Sequence, residues 1–358
     1  MRSGKNFLQN YVSWKNLNFD LLINSKLIYN TNMINDFLLH SFDIAKISYK
    51  KDLPLAPKST FKVGSTADLF IAPISQEQLI SVVSACIAAE EKFFILGGGS
   101  NIVFPDQPYH GIIISTENLS NILMTDDERP QNLEENQILV SCQAGTPMSS
   151  LVNFCTKHNL SGMEEFAGLP GTVGGALYMN ARCFEKSISQ LVYDTSFFTA
   201  QPKKRASIIC KPFQKSEWDY KKSPFQTTNS DEAKKIICSA TFVLEQKDDK
   251  EHASIEAKCK HFINERIEKG HFKFPSAGSV FKNNHNFGKP SGALIDQAGL
   301  KGVKIGGAQI APFHGNFIIN VDHAKSDDIK ELVELTKKTI KEKFGFDLEN
   351  EIIFLTNQ

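Results

Sequence analysis

The chain has 358 residues, with 40 lysines and arginines against 40 aspartates and glutamates and so no net charge. That balance argues against a general nucleic-acid or membrane-surface binder, though it permits a local basic pocket, and the length suggests roughly two or three domains with ample core. The seven cysteines are scattered and form no C-x-x-C pair, so neither a zinc site nor a disulfide framework is indicated, and reduced thiols in a cytoplasmic protein are expected. No apolar run nears the roughly 18 residues of a membrane span, and "LLI" at Leu21–Ile23 is followed at once by Asn24 and Ser25, unlike a signal peptide.

Residues 1–32 are rich in Asn and Lys and show no period. Met33 is expected to be the true start, with 1–44 an N-terminal extension; the mass of the natively expressed protein tests this. An α/β pattern then begins. Ala67–Ile74 reads as a short strand and Ser75–Glu91 as a helix capped by Ser75, with Leu79, Val82, Val83 and Cys86 at helical spacing. Lys92–Leu96 is a buried strand ending in glycines, an arrangement that often meets a phosphate. "HGIIIS" and "QILVSC" are strands, Thr146–Leu160 a capped helix, and 188–244 a β-rich stretch with polar loops. Glu251–Gly270 is a helix. "SGALIDQAGL" looks helical, "GNFIINV" is a strand, Lys325–Gly345 is a long amphipathic helix, and "ENEIIFL" is a closing strand.

Three glycine-bearing stretches carry the chemistry. "LGGGSNIVF" (Leu96–Phe104) has the small residues that let backbone N–H groups face an anion, but it is neither a Rossmann fingerprint nor a P-loop. "EEFAGLPGTVGGALYMNA" (Glu164–Ala181) is denser in glycine, and Leu169, Val173, Leu177 and Met179 should pin it to a core. Glycine is entropically costly, so such density points to a backbone lying against a ligand. In "FPSAGSVFKN" (Phe274–Asn283), Ala277 and Gly278 leave room for a molecule to approach Ser279, and Val280 and Phe281 anchor the turn.

The blocks "STFKVGSTADLFIAP", "LGGGSNIVF", "FAGLPGTVGGALYMNA" and "PSAGSVFKN", in this order, closely resemble the UDP-N-acetylenolpyruvoylglucosamine reductases, the flavoenzyme family called MurB. The tail "SGALIDQAGLKGVKIGGAQIAPFHGNFIINVDHAKSDDI" and the ending "LENEIIF" extend the resemblance over Tyr49 to Leu355. It implies an α+β protein. FAD would lie in a two-subdomain fold of the vanillyl-alcohol-oxidase (PCMH) type, with subdomains at 45–107 plus 345–358 and at 108–268, and a C-terminal α/β substrate domain would span 269–344. It also implies a monomer that uses NADPH and FAD to reduce UDP-N-acetylglucosamine enolpyruvate to UDP-N-acetylmuramate for peptidoglycan.

Carried over by residue, the resemblance places Gly97, Gly98, Gly99, Ser100 and Asn101 against FAD, together with Gly168, Pro170, Gly171, Thr172, Gly174 and Gly175, and with Gly64 and Asn180. Ser279 matches the proton donor and Glu351 the C-terminal catalytic glutamate. Glu349 is the near alternative, since strand alternation would put both on one face. Asn283, Lys301 and His314 match substrate-holding positions. The family's Tyr-Arg-x-Ser block is "YKKSPF" here, with Lys221 where an arginine is usual, and lysine lacks the planar bidentate grip. Its Asn-Ala-Gly-Ala-Tyr is "NARCF", so Arg182 is a candidate for the missing guanidinium, with a plain surface arginine the preferred reading. The alternative to an active reductase is a flavin-binding homologue with weakened or lost catalysis. No metal site is expected.

Overall fold

The structure, a computed structural model, describes residues 36–125, 133–202, 206–226 and 233–357. The proposed start at Met33 and the segment 1–32 lie outside these residues. The helix Asp36–Ile44 does not behave as an extension, because it buries Leu38, Leu39 and Phe42 in one cluster with Leu79, Val82 and Val83.

Ser75 opens the helix Gln76–Ala88, its hydroxyl accepting the Gln78 N–H at 3.1 Å. A cap of this kind stabilises by about 1 kcal/mol. Leu79, Val82, Val83 and Cys86 are all fully buried, as the helical spacing predicts. This helix covers a four-stranded sheet in the order Tyr49–Pro54, Thr66–Ile71, Tyr109–Ser115, Phe93–Leu96, in which the last three strands run parallel. Tyr109–Ser115, which the expected break at 107 put in the second subdomain, is hydrogen-bonded into this sheet. Near its edge Ile353–Phe354 pairs in parallel with Ile102–Val103, bringing the end of the chain to the glycine-rich turn.

A second, antiparallel sheet holds Ile209–Pro212, Val192–Ala200, Lys234–Gln246, Gln137–Gln143 and Ile122–Thr125 in that order, with Leu160–Ser161 paired to Lys234–Gln246. The helix expected at Thr146–Leu160 is Met148–Lys157, and Pro147 rather than Thr146 occupies its cap position, without a side-chain cap bond. Pro147 stays extended because it forms an antiparallel bridge with Thr172, with the Met148 N–H on the Gly171 carbonyl and the Val173 N–H on the Thr146 carbonyl, so the helix starts one residue later.

The third sheet is antiparallel, in the order Ser276–Ser279, Phe317–Asn320, Ala308–Ile310, Lys304–Ile305. The helices Ser291–Gln297 and Ser326–Phe344 pack on it. The longer helix buries Ile329, Leu332, Val333, Thr336 and Ile340, a stripe at helical spacing, and stops where Gly345 turns left-handed at φ 76°. Its apolar face joins Val280 and Phe281, so the strand leading out of Ser279 is fixed from behind. Among the described residues, no helix is long and apolar enough to cross a membrane.

Candidate active site

The two glycine loops lie directly against each other. A β-carbon on Gly98 would come within 2.6 Å of the Gly171 Cα, one on Gly171 within 2.6 Å of the Ser100 Oγ, and one on Gly97 within 2.6 Å of the Thr172 Oγ1. Gly99, at φ 63°, packs over the Lys58 carbonyl, which its β-carbon would reach at 1.9 Å. Glycine at these positions is thus required for the two loops to close together.

Their backbone donors point to a ligand. Among the described residues, the N–H groups of Gly97, Gly98, Gly99 and Ser100 donate to no protein acceptor, and neither do those of Gly171 and Thr172. Gly99 and Thr172 are buried, where donors are rarely left without a partner, and the other four line a half-open surface beside them. Two side-chain atoms beside the loop are orphaned as well: Thr60 Oγ1, whose residue donates its N–H to the Gly99 carbonyl at 3.1 Å, and Asn350 Oδ1. A cradle of consecutive free N–H groups suits a diphosphate, and these residues fit FAD on that ground.

The second loop is held by packing, as its apolar residues imply. Val173 and Leu177 are fully buried, and Thr172 caps the helix Val173–Tyr178 by accepting the Gly175 N–H at 3.4 Å. Pro170 stands between Leu169 and Gly171 at the loop's entry. Gly174 is held against Ala144, its N–H donating to that carbonyl at 2.8 Å. Gly168 lies over the stem of Arg266, 3.1 Å from where its β-carbon would sit. Gly64 has a reason internal to the fold: at φ 125°, its β-carbon would strike that of Phe104 at 2.4 Å. The Asn180 side chain spans two segments, donating to the Asp219 carbonyl at 2.7 Å and accepting the Ser189 N–H at 3.3 Å.

Asp219 begins the tight turn that presents Lys221. Asp219 and Lys222 exchange backbone hydrogen bonds, and Lys221, at φ 55°, takes the left-handed third position. That conformation is unfavourable for lysine and is held by its surroundings. From this turn the Lys221 ammonium pairs with the Glu351 carboxylate, with the two side chains only 12% and 13% exposed. Tyr220 Oη accepts the Asn283 N–H at 3.3 Å.

Glu351 is joined to both other parts of the site. Its N–H donates to the carbonyl of Val280, next to Ser279, at 2.7 Å. Its own carbonyl accepts from the Asn101 side chain at 2.9 Å. Glu349, in contrast, is 72% exposed and pairs with Lys282 on the surface. The two glutamates flank the antiparallel bridge of Asn350 to Phe281, and what separates them is their partners, Lys282 at the surface for Glu349 and the enclosed Lys221 for Glu351. Ser279 is half-buried and its hydroxyl bonds to no described residue. Gly278, at φ 73°, has no protein atom within 4 Å of where a β-carbon would lie, so its side of the turn is open.

Ser279 pairs across the sheet with Phe317, on which the rings of His314 and His271 pack at 4.4 and 4.8 Å. Burial, more than any neighbouring charge, lowers both histidines, His271 to about 4. His314 Nδ1 accepts the Asn316 N–H at 3.2 Å. The neutral ring therefore carries its proton on Nε2. Asn283 accepts the Ser291 N–H at 2.9 Å, and Lys301 pairs with Asp296 at 2.9 Å in an exposed position. The structure thus gathers Asn101, Lys221, Ser279, Asn283 and Glu351. Lys301 is tied to this group only through its charge acting on His314.

Arg182 pairs at 2.8 Å with Glu185, which is 96% exposed, and so points to solvent. The preferred surface reading stands. The sequence reasoning missed Tyr220, Thr60, Asn350 and Arg266. Tyr220 lay within a block already singled out. Thr60 and Asn350 likewise lay within blocks already quoted but were not singled out, and Arg266 carries no local pattern because its neighbours come from distant parts of the chain.

Comparisons with known proteins agree with this geometry. The family model "UDP-N-acetylenolpyruvoylglucosamine reductase, C-terminal domain" matches residues 270–355, and "FAD binding domain" matches 67–196. The UDP-N-acetylenolpyruvoylglucosamine reductase of Treponema denticola is 41% identical, over 84% of this chain and 91% of its own length. That of Borreliella burgdorferi is 40% identical, over 84% and 92%. The crystal structure of the Thermus caldophilus enzyme superposes with a TM-score of 0.65 at 25% identity, covering 87% of this chain and 99% of that one.

Proposed function

The chain belongs to the UDP-N-acetylenolpyruvoylglucosamine reductase family of FAD-binding oxidoreductases, and from that membership we propose that it uses NADPH to reduce UDP-N-acetylglucosamine enolpyruvate to UDP-N-acetylmuramate. The reaction serves peptidoglycan synthesis and takes place in the cytoplasm on a monomer. The observation that carries this reading is the bridge Asn101–Glu351–Val280, with Lys221 on the Glu351 carboxylate. It joins the glycine loop, the C-terminal glutamate and the Ser279 turn in one place.

Bound FAD supplies the transfer of hydride from the nicotinamide to the terminal carbon of the enol ether. The chain's own residues do the rest. Gly97–Asn101 and Gly168–Gly175, with Pro170, Thr172, Gly64 and Asn180, hold the cofactor. Ser279 holds the proton that the adjacent carbon must receive; its O–H bond breaks, a C–H bond forms, and the oxygen is reprotonated from solvent. Serine is a weak acid in water, but it can donate to a much more basic carbanion in a closed site where its alkoxide is stabilised. Lys221 brings positive charge to the carboxylate and the developing enolate, and Glu351 fixes where that charge sits. Asn283, Lys301 and His314 hold polar parts of the substrate, His314 as a donor through Nε2.

The lost-catalysis alternative gains nothing from the Lys221 geometry. A relic lysine would have no reason to occupy a left-handed turn and meet the C-terminal glutamate in a half-closed site. The test is substrate-dependent consumption of NADPH by the FAD-loaded protein, with mass spectrometry of the product. A product two hydrogens heavier than the substrate supports the reading. NADPH consumption indifferent to the enolpyruvyl ligand contradicts it.

A further inference from the structure

Arg266 is 7% exposed, and among the described residues no carboxylate pairs with it. Its Nε donates to the Ala167 carbonyl at 2.9 Å and its Nη2 to the Glu165 carbonyl at 3.3 Å, so it grips the entry to the second glycine loop. The Phe184 ring lies 5.2 Å from its guanidinium carbon. Two carbonyls, the Cys183 thiol and the Phe184 ring meet this group of five donors, and none of them carries a countercharge. A buried cation is costly unless a countercharge or a full set of acceptors meets it.

The position relates this charge to the reacting groups. Burial raises the Cys183 thiol, and the Arg266 charge, with a hydrogen bond from its guanidinium, acts against that, helped by the Lys221 charge. The Arg266 carbonyl accepts the His271 N–H at 2.9 Å, and His271 packs on Phe317, the cross-strand partner of Ser279. The Lys221 charge is already partly balanced by Glu351 before a substrate carboxylate arrives. His271 and His314 are neutral, and Arg182 is at the surface. Arg266 is a buried cation beside the glycine loop for which, among the described residues, no carboxylate partner is found.

We propose that Arg266 is a positioning residue that clamps the flavin-side loop and supplies the site's surplus positive charge, matched to the carboxylate of the enolpyruvyl group. The proposal rests on the reductase reading above and extends it to a residue that acts through the field and through the loop rather than by touching the reacting atoms.

The test is calorimetric titration of the FAD-loaded enzyme with two ligands, the enolpyruvyl substrate and UDP-N-acetylglucosamine, which lacks the carboxylate. Wild type, Arg266→Lys and Arg266→Gln are compared. Arg266→Gln is expected to weaken the carboxylate ligand about tenfold or more while leaving the other within about threefold, and Arg266→Lys to keep most of the discrimination. Equal weakening of both ligands in Arg266→Gln would reduce the residue to a structural clamp and overturn the proposal. Should Arg266→Gln fail to retain FAD, Arg266→Lys decides: discrimination kept supports the surplus charge, and discrimination lost overturns it. A wild-type enzyme that binds neither ligand would instead defeat the reductase reading itself.

Discussion

Lys221 and Glu351 stand 130 residues apart in sequence, and their side chains meet in a pair that solvent barely reaches. The lysine comes from a strained turn on the second sheet, the glutamate from the chain's last residues beside the first sheet. The contact therefore closes the site across segments that are otherwise separate. It also ranks the two acids of "LENE", because Glu349 spends its charge on Lys282 at the surface.

Breaking the pair from one side should be worse than removing it. Lys221→Ala leaves Glu351 half-enclosed without a countercharge and is expected to lower stability by about 2–4 kcal/mol, with turnover reduced on the order of a hundredfold or more. The double variant Lys221→Ala/Glu351→Gln should recover about 1–3 kcal/mol of that stability by urea denaturation without recovering turnover. Additive losses would mean that the two side chains do not interact.

Ser279→Ala should leave folding, FAD content and flavin reduction by NADPH unchanged, while turnover falls by about 10²–10⁴. Stopped-flow absorbance separates the two half-reactions. A loss confined to the NADPH step would show that Ser279 has been given the wrong task.

The glycines divide into two kinds. Gly98→Ala would drive a β-carbon into the Gly171 backbone, so the loops must part and FAD should dissociate more readily, read as a fall in the flavin-to-protein absorbance ratio. Gly278→Ala meets no protein atom and suffers only from its left-handed φ of 73°, which predicts a stability loss of about 1–2 kcal/mol with FAD content intact. Equal flavin loss in both variants would contradict this division.

His271 has a folded-state pKa of about 4, below its ordinary value, chiefly because it is buried and next because Arg266 is near. The unfolded chain thus binds a proton that the folded protein refuses between about pH 6.5 and 4. Stability is complete above that window and lost as pH falls through it, with His314 contributing in the same direction. Thermal melts of His271→Gln should show a flatter decline than wild type across the window; an unchanged slope would mean that His271 charges freely when folded.

Local patterns in the sequence were enough to find the helices with a continuous buried stripe, such as Gln76–Ala88 and Ser326–Phe344, and the three glycine stretches. The relation between those stretches was not legible, because it depends on contacts such as Gly98 against Gly171 and Asn101 against Glu351 that no spacing encodes. A boundary failed where backbone pairing overruled composition, since Tyr109–Ser115 joins the first sheet, and the choice between Glu349 and Glu351 turns on their lysine partners, which alternation along the chain does not reveal. Arg266 escaped notice because a single arginine in a polar helix looks like any surface residue until its burial is known.

The most direct test of the account is the visible spectrum of the FAD-loaded protein under anaerobic conditions, first with NADPH and then with UDP-N-acetylglucosamine enolpyruvate. The account predicts that the flavin band bleaches with NADPH and returns in full when the enolpyruvyl compound is added. A band that bleaches and stays bleached would contradict it, leaving a flavoprotein whose Lys221, Ser279 and Glu351 serve some other acceptor.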